Sequence, residues 1–245
     1  MKLSFGLGTA TYHSIVSMDD FVSELLACPN SDMIEFIDTA PIYAHGHAES
    51  WVGRKSALSL SRKVITKVGL DYNFKTRVGF KIPRGKTLYN RLFPRNIYRI
   101  PASHVRQSYK KSLKNLEGIK PYGLLVHSYD GSQDSMNQLN QLQKLKMENR
   151  VMKIGISIDE SLEVIPPHLD IIEIPANFGP IAALQDFHGL LIVNQVFQKK
   201  MTKNYLTALL QLNVEQVVLL CGSTRIERII SFINYWREFK CETEN

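Results

Sequence analysis

With 245 residues, 44% hydrophobic and 22% charged, the chain has the composition of a globular protein with a sizeable core, and its length suits one α/β barrel or two small domains. No apolar run approaches the roughly 20 residues that span a bilayer, MKLSFGLGTATYH reads as neither signal nor transit peptide, and a cytoplasmic protein is expected. Cys28, Cys221 and Cys241 stand far apart without a C-x-x-C pair, arguing against a disulfide framework or zinc site, and the formal charge of +7 is carried entirely by residues 70–100.

Along the chain, short β-rich apolar runs alternate with segments of helical period, the pattern of repeated β-α units over a parallel sheet. The predicted strands are Leu3–Thr9, Met33–Asp38, Lys63–Val68, Tyr122–His127, Met152–Ser157, Asp170–Pro175, Gly189–Asn194 and Gln216–Cys221. Helices are expected after the caps Ser17, Ser103, Ser132 and Thr202, and after Ser223 or Thr224 as far as Trp236. Those following Ser157 and Gly179 should be short, since Pro166-Pro167 stops the first. Eight such units can close into a (β/α)8 TIM barrel, here a single domain over residues 1–245; an open doubly wound sheet is the alternative. No G-x-G-x-x-G follows any strand, which weighs against a Rossmann nucleotide domain.

Residues 70–100 form a long excursion in which Lys75, Arg77, Lys81, Arg84, Lys86, Arg91, Arg95 and Arg99 face Asp71 alone. A basic loop of this kind is either a local anion site or a solvated insertion. Aromatic residues interleave with its charges, but no nucleic-acid module is recognisable, so nucleic acid is not expected as a partner.

In a barrel every strand's C-terminal end opens on one mouth, and the polar residues at those ends are Thr9, Asp38, Lys67, His127, Ser157 and Glu173. Ionisable groups at the ends of Val/Ile/Leu strands are costly unless they pair or serve a site. In FIDTAPIY, Asp38 could be a turn cap and Tyr43 a rim aromatic. Together with Lys67 and His127 they suggest acid–base chemistry instead. A phenol near pKa ~10 gives up its proton readily only beside a cation, which Lys67 supplies and Asp38 fixes, while His127 orients a substrate oxygen. Such a set protonates an alkoxide developing at a carbonyl carbon.

These residues resemble the aldo-keto reductase superfamily along most of the chain. FGLGTATY is similar to its first strand, and FIDTAPIYAHGHAESWVGR to its aspartate and tyrosine followed by Y-x-x-G-x-x-E-x-x-x-G, here Tyr43, Gly46, Glu49 and Gly53. VITKVG, SLKNL with YGLLVHSYD, KIGIS, IIEIPANF and GSTRIER continue the match. The resemblance implies an NADP-dependent oxidoreductase, NADP favoured over NAD, with Asp38, Tyr43, Lys67 and His127 catalytic. It places Thr9 and Asp38 at the nicotinamide ribose, Ser157 and Glu173 at the carboxamide, and Gly222, Ser223, Thr224, Arg225 and Arg228 at the adenosine phosphate. Ser223 and Thr224 also precede a helix, whose first N–H groups suit a phosphate.

Departures from the pattern are Ile158 for an asparagine, Glu173 for a glutamine, Asn194 where tyrosine or arginine is common, and Ser231 and Phe232 in place of a Glu-Asn pair at adenine. The chain also stops soon after its last helix, leaving the basic loop to meet substrate. The leading expectation is therefore a reductase of a small carbonyl compound, with an anionic or sugar-like substrate suggested by the loop's charge. The alternative is a non-catalytic barrel binding a nucleotide or an anionic partner.

Overall fold

The computed structural model describes residues 2–12, 15, 18–54, 62–72, 97–198 and 201–244. Eight parallel strands close into a barrel, and all eight predicted strands are present within one or two residues of their expected ends. They are β1 (Lys2–Gly8), β2 (Ile34–Asp38), β3 (Lys63–Val68), β6 (Gly123–Val126), β7 (Lys153–Ser157), β8 (Ile171–Pro175), β9 (Leu190–Asn194) and β10 (Gln216–Cys221). Neighbours follow chain order around the ring, and β1 closes on β10 from Lys2 opposite Gln216 to Leu7 opposite Cys221. The chain therefore forms a TIM barrel rather than an open sheet.

Strand side chains alternate with period two, so one set from each strand fills the barrel. Phe36, Ile65, Leu125, Ile171, Leu190, Ile192, Val218 and Leu220 form that interior plug. Two residues further along their strands stand Asp38, Lys67, His127, Glu173 and Asn194. The polar residues at the mouth are thus the next inward-facing layer above an apolar floor. Gly155, the inward residue of β7 below Ser157, leaves no room for a side chain, because a Cβ there would lie 1.9 Å from the Ile171 carbonyl oxygen.

Six α-helices are present among the described residues: α1 (Met18–Ala27), α2 (Ala48–Arg54), α3 (Val105–Asn115), α4 (Gln133–Met147), α5 (Lys203–Leu210) and α6 (Ile226–Glu244). Ser132 caps α4, accepting from the Ser135 N–H at 3.3 Å, and Thr202 caps α5, accepting from the Tyr205 N–H at 3.2 Å. Before α6 the Ser223 hydroxyl accepts from the Arg225 N–H at 3.1 Å, and this helix runs past Trp236. Ser103 does not cap α3. It lies inside a 3₁₀ turn, Ala102–His104, that follows Pro101, and its hydroxyl meets the His104 ring instead. Ser17 lies outside the described residues.

The ring is thin where short helices were expected. No helix joins β7 to β8, and a single 3₁₀ turn, Ile181–Leu184, stands between β8 and β9. Two further strands were not anticipated: β4 (Leu70–Tyr72) and β5 (Ile97–Arg99) pair antiparallel at the foot of the basic loop. Of the loop's basic residues only Arg99 is described. Among the described residues no helix is long and apolar enough to cross a membrane.

Candidate active site

At the mouth the Lys67 ammonium is buried between two carboxylates. It pairs with Asp38 Oδ1 and lies 3.1 Å from Glu173 Oε2, with all three side chains 3% exposed or less. The expected Lys67–Asp38 pair is therefore present, and Glu173 joins it from the opposite side of the barrel. The other oxygen of Glu173 accepts from Asn194 Nδ2 at 2.7 Å. A carboxylate within five consecutive buried residues, Ile171–Pro175, needs a cation, and that was the sequence signal for the second ion pair.

Lys67 Nζ also lies 4.9 Å from the centroid of the Tyr43 ring, which meets the His127 ring edge-on at 5.4 Å. Lysine, phenol and imidazole so converge from β3, the loop after β2 and the end of β6. Burial opposes the charge on Lys67, but Asp38 and then Glu173 outweigh it and hold the ammonium above the ordinary lysine range. Burial pushes the Asp38 carboxyl up to about 8, assisted by Glu173 and opposed by Lys67. For Tyr43 the structure reverses one expectation. Lys67 does pull the phenol down, but burial wins and the group stays above its ordinary value. His127 is driven well below its ordinary value by burial, then by Lys67 and Arg99, and is neutral near pH 7.

Several contacts brace these groups. Thr9 is buried, and its N–H and hydroxyl each donate to the Asp38 carbonyl oxygen at 3.0 Å. Its described contacts are thus with β2. Tyr72 on β4 donates its hydroxyl to the Ile42 carbonyl at 2.6 Å, next to Tyr43. Arg99 on β5 donates to the Ser128 carbonyl at 2.7 Å and pairs with Asp130 at 3.2 Å, clamping the residue after His127. No sequence pattern marked either contact, because both depend on the β4–β5 ribbon. The chain enters the left-handed region right after three of the mouth residues: Ala44 and His45 (φ 47 and 60) after Tyr43, Ser128 (φ 52) after His127, and Gln195 (φ 55) after Asn194. Such conformations cost on the order of 1 kcal/mol or more in non-glycine residues and gather at functional sites.

Glu49 and Gly53 have structural duties. The buried Glu49 carboxylate accepts from Thr66 Oγ1 at 2.7 Å and Asn115 Nδ2 at 3.0 Å, tying α2 to β3 and α3. A Cβ at Gly53 would lie 2.6 Å from the Asn115 carbonyl, so only glycine allows this approach of α2 to α3.

A cavity of about 460 Å³ opens above the cluster, lined by Asp38, Tyr43, His127, Ser157, Glu173 and Asn194 and walled by Leu70, Ile97, Val196 and Phe197. A larger hollow of about 760 Å³ at the strands' N-terminal ends, near Pro166, Pro167 and His188, contains none of the cluster. Chemistry in this fold sits at the C-terminal ends, which favours the smaller cavity. Of the expected phosphate residues, Gly222 borders the cavity, with open space where a Cβ would lie; Ser223 is buried, Thr224 partly so, and Arg225 and Arg228 are exposed. The Arg228 guanidinium stacks 4.3 Å from the Phe197 centroid, and Phe197 packs 4.9 Å from Phe232. Ile158 is buried and turns no polar group to the mouth.

The residues present fit a nicotinamide carboxamide. Asn194 Oδ1, enclosed beside the cavity, has no hydrogen-bond partner among the described residues and can accept from an amide N–H₂.

The sequence profile of the aldo/keto reductase family matches residues 2–166, about two thirds of the chain, and the chain belongs to that family. Membership supports carbonyl oxidoreduction as the class of chemistry, and the family uses nicotinamide cofactors. No curated protein matches the chain by sequence. Among solved structures, a protein from Pseudomonas aeruginosa described as an aldo-keto reductase superposes with a TM-score of 0.66 at 20% identity, over 93% of this chain and 86% of its own. A glycerol dehydrogenase from Gluconobacter oxydans gives 0.62 at 18% identity, over 93% and 84%. An aldo/keto reductase from Klebsiella pneumoniae, in complex with NADP and acetate, gives 0.55 at 14% identity, over 93% and 83%. At these identities the likeness bears on the fold.

Proposed function

We propose that this single-domain barrel is an NADP-dependent reductase of small carbonyl compounds, or the corresponding alcohol dehydrogenase, with Tyr43 as proton donor. The observation that carries the reading is the convergence of the Tyr43 phenol, the Lys67 ammonium and a neutral His127 at one cavity. Reduced nicotinamide, when bound, supplies the hydride that a carbonyl carbon accepts. His127, uncharged near pH 7, donates a hydrogen bond to the carbonyl oxygen and sets its position. Tyr43 keeps its proton until the oxygen becomes an alkoxide, a stronger base than even a buried phenolate. Lys67 then stabilises the phenolate left behind, since its ammonium is fixed by Asp38 and Glu173.

Asp38, Ser157, Glu173 and Asn194 border the nicotinamide end of the cavity, and Asn194 Oδ1 takes part of the duty that a glutamine would perform at position 173. Gly222, Ser223, Thr224, Arg225 and Arg228 hold the adenosine phosphate, and Thr9 acts through the Asp38 backbone. The preference for NADP rests on the two exposed arginines. An anionic substrate rests on the loop's composition alone. NADPH oxidation across a panel of aldehydes and ketones tests the reading, with Tyr43→Phe lowering turnover about 10²–10⁴-fold. Unchanged turnover in that variant removes Tyr43 from its role. Failure of NADPH and NADP⁺ to quench intrinsic fluorescence favours the non-catalytic barrel.

A further inference from the structure

Two buried carboxylates share one ammonium at the mouth, and this arrangement has a charge that an amide at position 173 would not produce. Lys67 cancels one of them. The groups that face the cluster do not cancel the second. Tyr43, from the loop after β2, keeps its proton; His127 of β6 is neutral; Ser157 of β7 and Asn194 of β9 are uncharged. Asp159, after β7, adds a further acid at the cavity wall. The two nearby arginines are engaged elsewhere, Arg99 with Ser128 and Asp130 and Arg228 over Phe197. Fully ionised, Asp38, Lys67 and Glu173 would leave one uncompensated negative charge in a site almost without water. The cluster therefore retains a proton, and Asp38, pushed up to about 8, is where it resides.

Resting on the reading of the cavity as a nicotinamide site, we infer that Glu173 makes cofactor binding proton-linked, so that the cationic, oxidised nicotinamide is favoured over the neutral, reduced one increasingly as pH rises. The positive ring makes the net-negative state of the cluster favourable, and the retained proton leaves to bulk water. A reduced ring carries no charge and displaces none. Asn194, which donates to Glu173 from the side, keeps that carboxylate at the cavity wall.

The test is the pair of dissociation constants of NADP⁺ and NADPH, from fluorescence quenching between about pH 6.5 and 9. Both forms carry the same adenosine phosphates, so titration of those groups cancels in the ratio. In the wild-type protein the ratio shifts toward the oxidised form by on the order of tenfold, rising by at most about tenfold per pH unit and levelling above about pH 8. In Glu173→Gln the ratio is flat. A ratio that is flat in the wild-type protein, or equally steep in Glu173→Gln, overturns the inference while leaving the nicotinamide reading intact. Absence of binding by either form removes both. Calorimetry on the wild-type protein, in buffers of different ionisation enthalpy, decides the point if Glu173→Gln does not fold. Proton release with NADP⁺ and none with NADPH is expected, and equal release overturns the proposal.

Discussion

Asp38→Asn should make the protein less active and, toward alkaline pH, comparatively more stable. The Asp38 carboxyl is raised from its ordinary 3.8 to about 8, first by burial and then by Glu173. A group whose value rises on folding contributes stability in full below its unfolded value and loses it as pH climbs through its folded value. Between about pH 5 and 8 this one carboxyl therefore lowers stability by about 1.4 kcal/mol per pH unit, or ~4 kcal/mol over the interval. Asparagine removes the titration, and Lys67 keeps Glu173 as a partner 3.1 Å away. Urea unfolding followed by tryptophan fluorescence at several pH values from 5 to 8, with the m-value as control, gives the comparison. The variant should gain several kcal/mol relative to the wild-type protein across that range, whatever its offset at pH 5. Parallel stability curves would refute the reasoning, since they would mean that Asp38 titrates alike in the folded and unfolded chains.

Two further substitutions probe the supports. Arg99→Ala removes the donor to the Ser128 carbonyl and one of the charges that keep His127 neutral, so turnover should fall about 10-fold and the acid limb of its pH profile should move toward neutrality; an unmoved acid limb would separate Arg99 from His127. Glu49→Ala strands the Thr66 hydroxyl and the Asn115 amide, and should cost about 2–4 kcal/mol in chemical denaturation, whereas a loss under about 0.5 kcal/mol would show that neither group depends on this carboxylate.

The barrel was readable because its strands are short apolar runs set apart by turn and cap residues, and their ends, where Asp38, Lys67 and His127 lie, carry polar groups that an apolar plug does not need. Ser132 and Thr202 announced α4 and α5 through local chemistry alone. Ser103 misled for an equally local reason: Pro101 fixes the backbone into a 3₁₀ turn, so α3 starts later. The β4–β5 ribbon was hidden because its three-residue strands are too short to show a period. The behaviour of Tyr43 could not be read from composition. It depends on whether the cation or the loss of water dominates, and that balance is set by three-dimensional burial. Glu173 was recognised as a departure, yet its attachment to Lys67 required the barrel to be closed.

The left-handed residues that follow Tyr43, His127 and Asn194 have one more implication. Each acts as a swivel at the boundary between fixed and variable parts of the molecule. On one side the strand geometry dictates where a functional side chain points; on the other the chain has turned away and no longer transmits direction. Segments beyond these swivels can be lengthened, exchanged or recharged while the proton-handling groups stay where the barrel put them. A barrel of this design can acquire new substrates by altering its loops, and the range of molecules it meets can evolve separately from the reaction it performs on them.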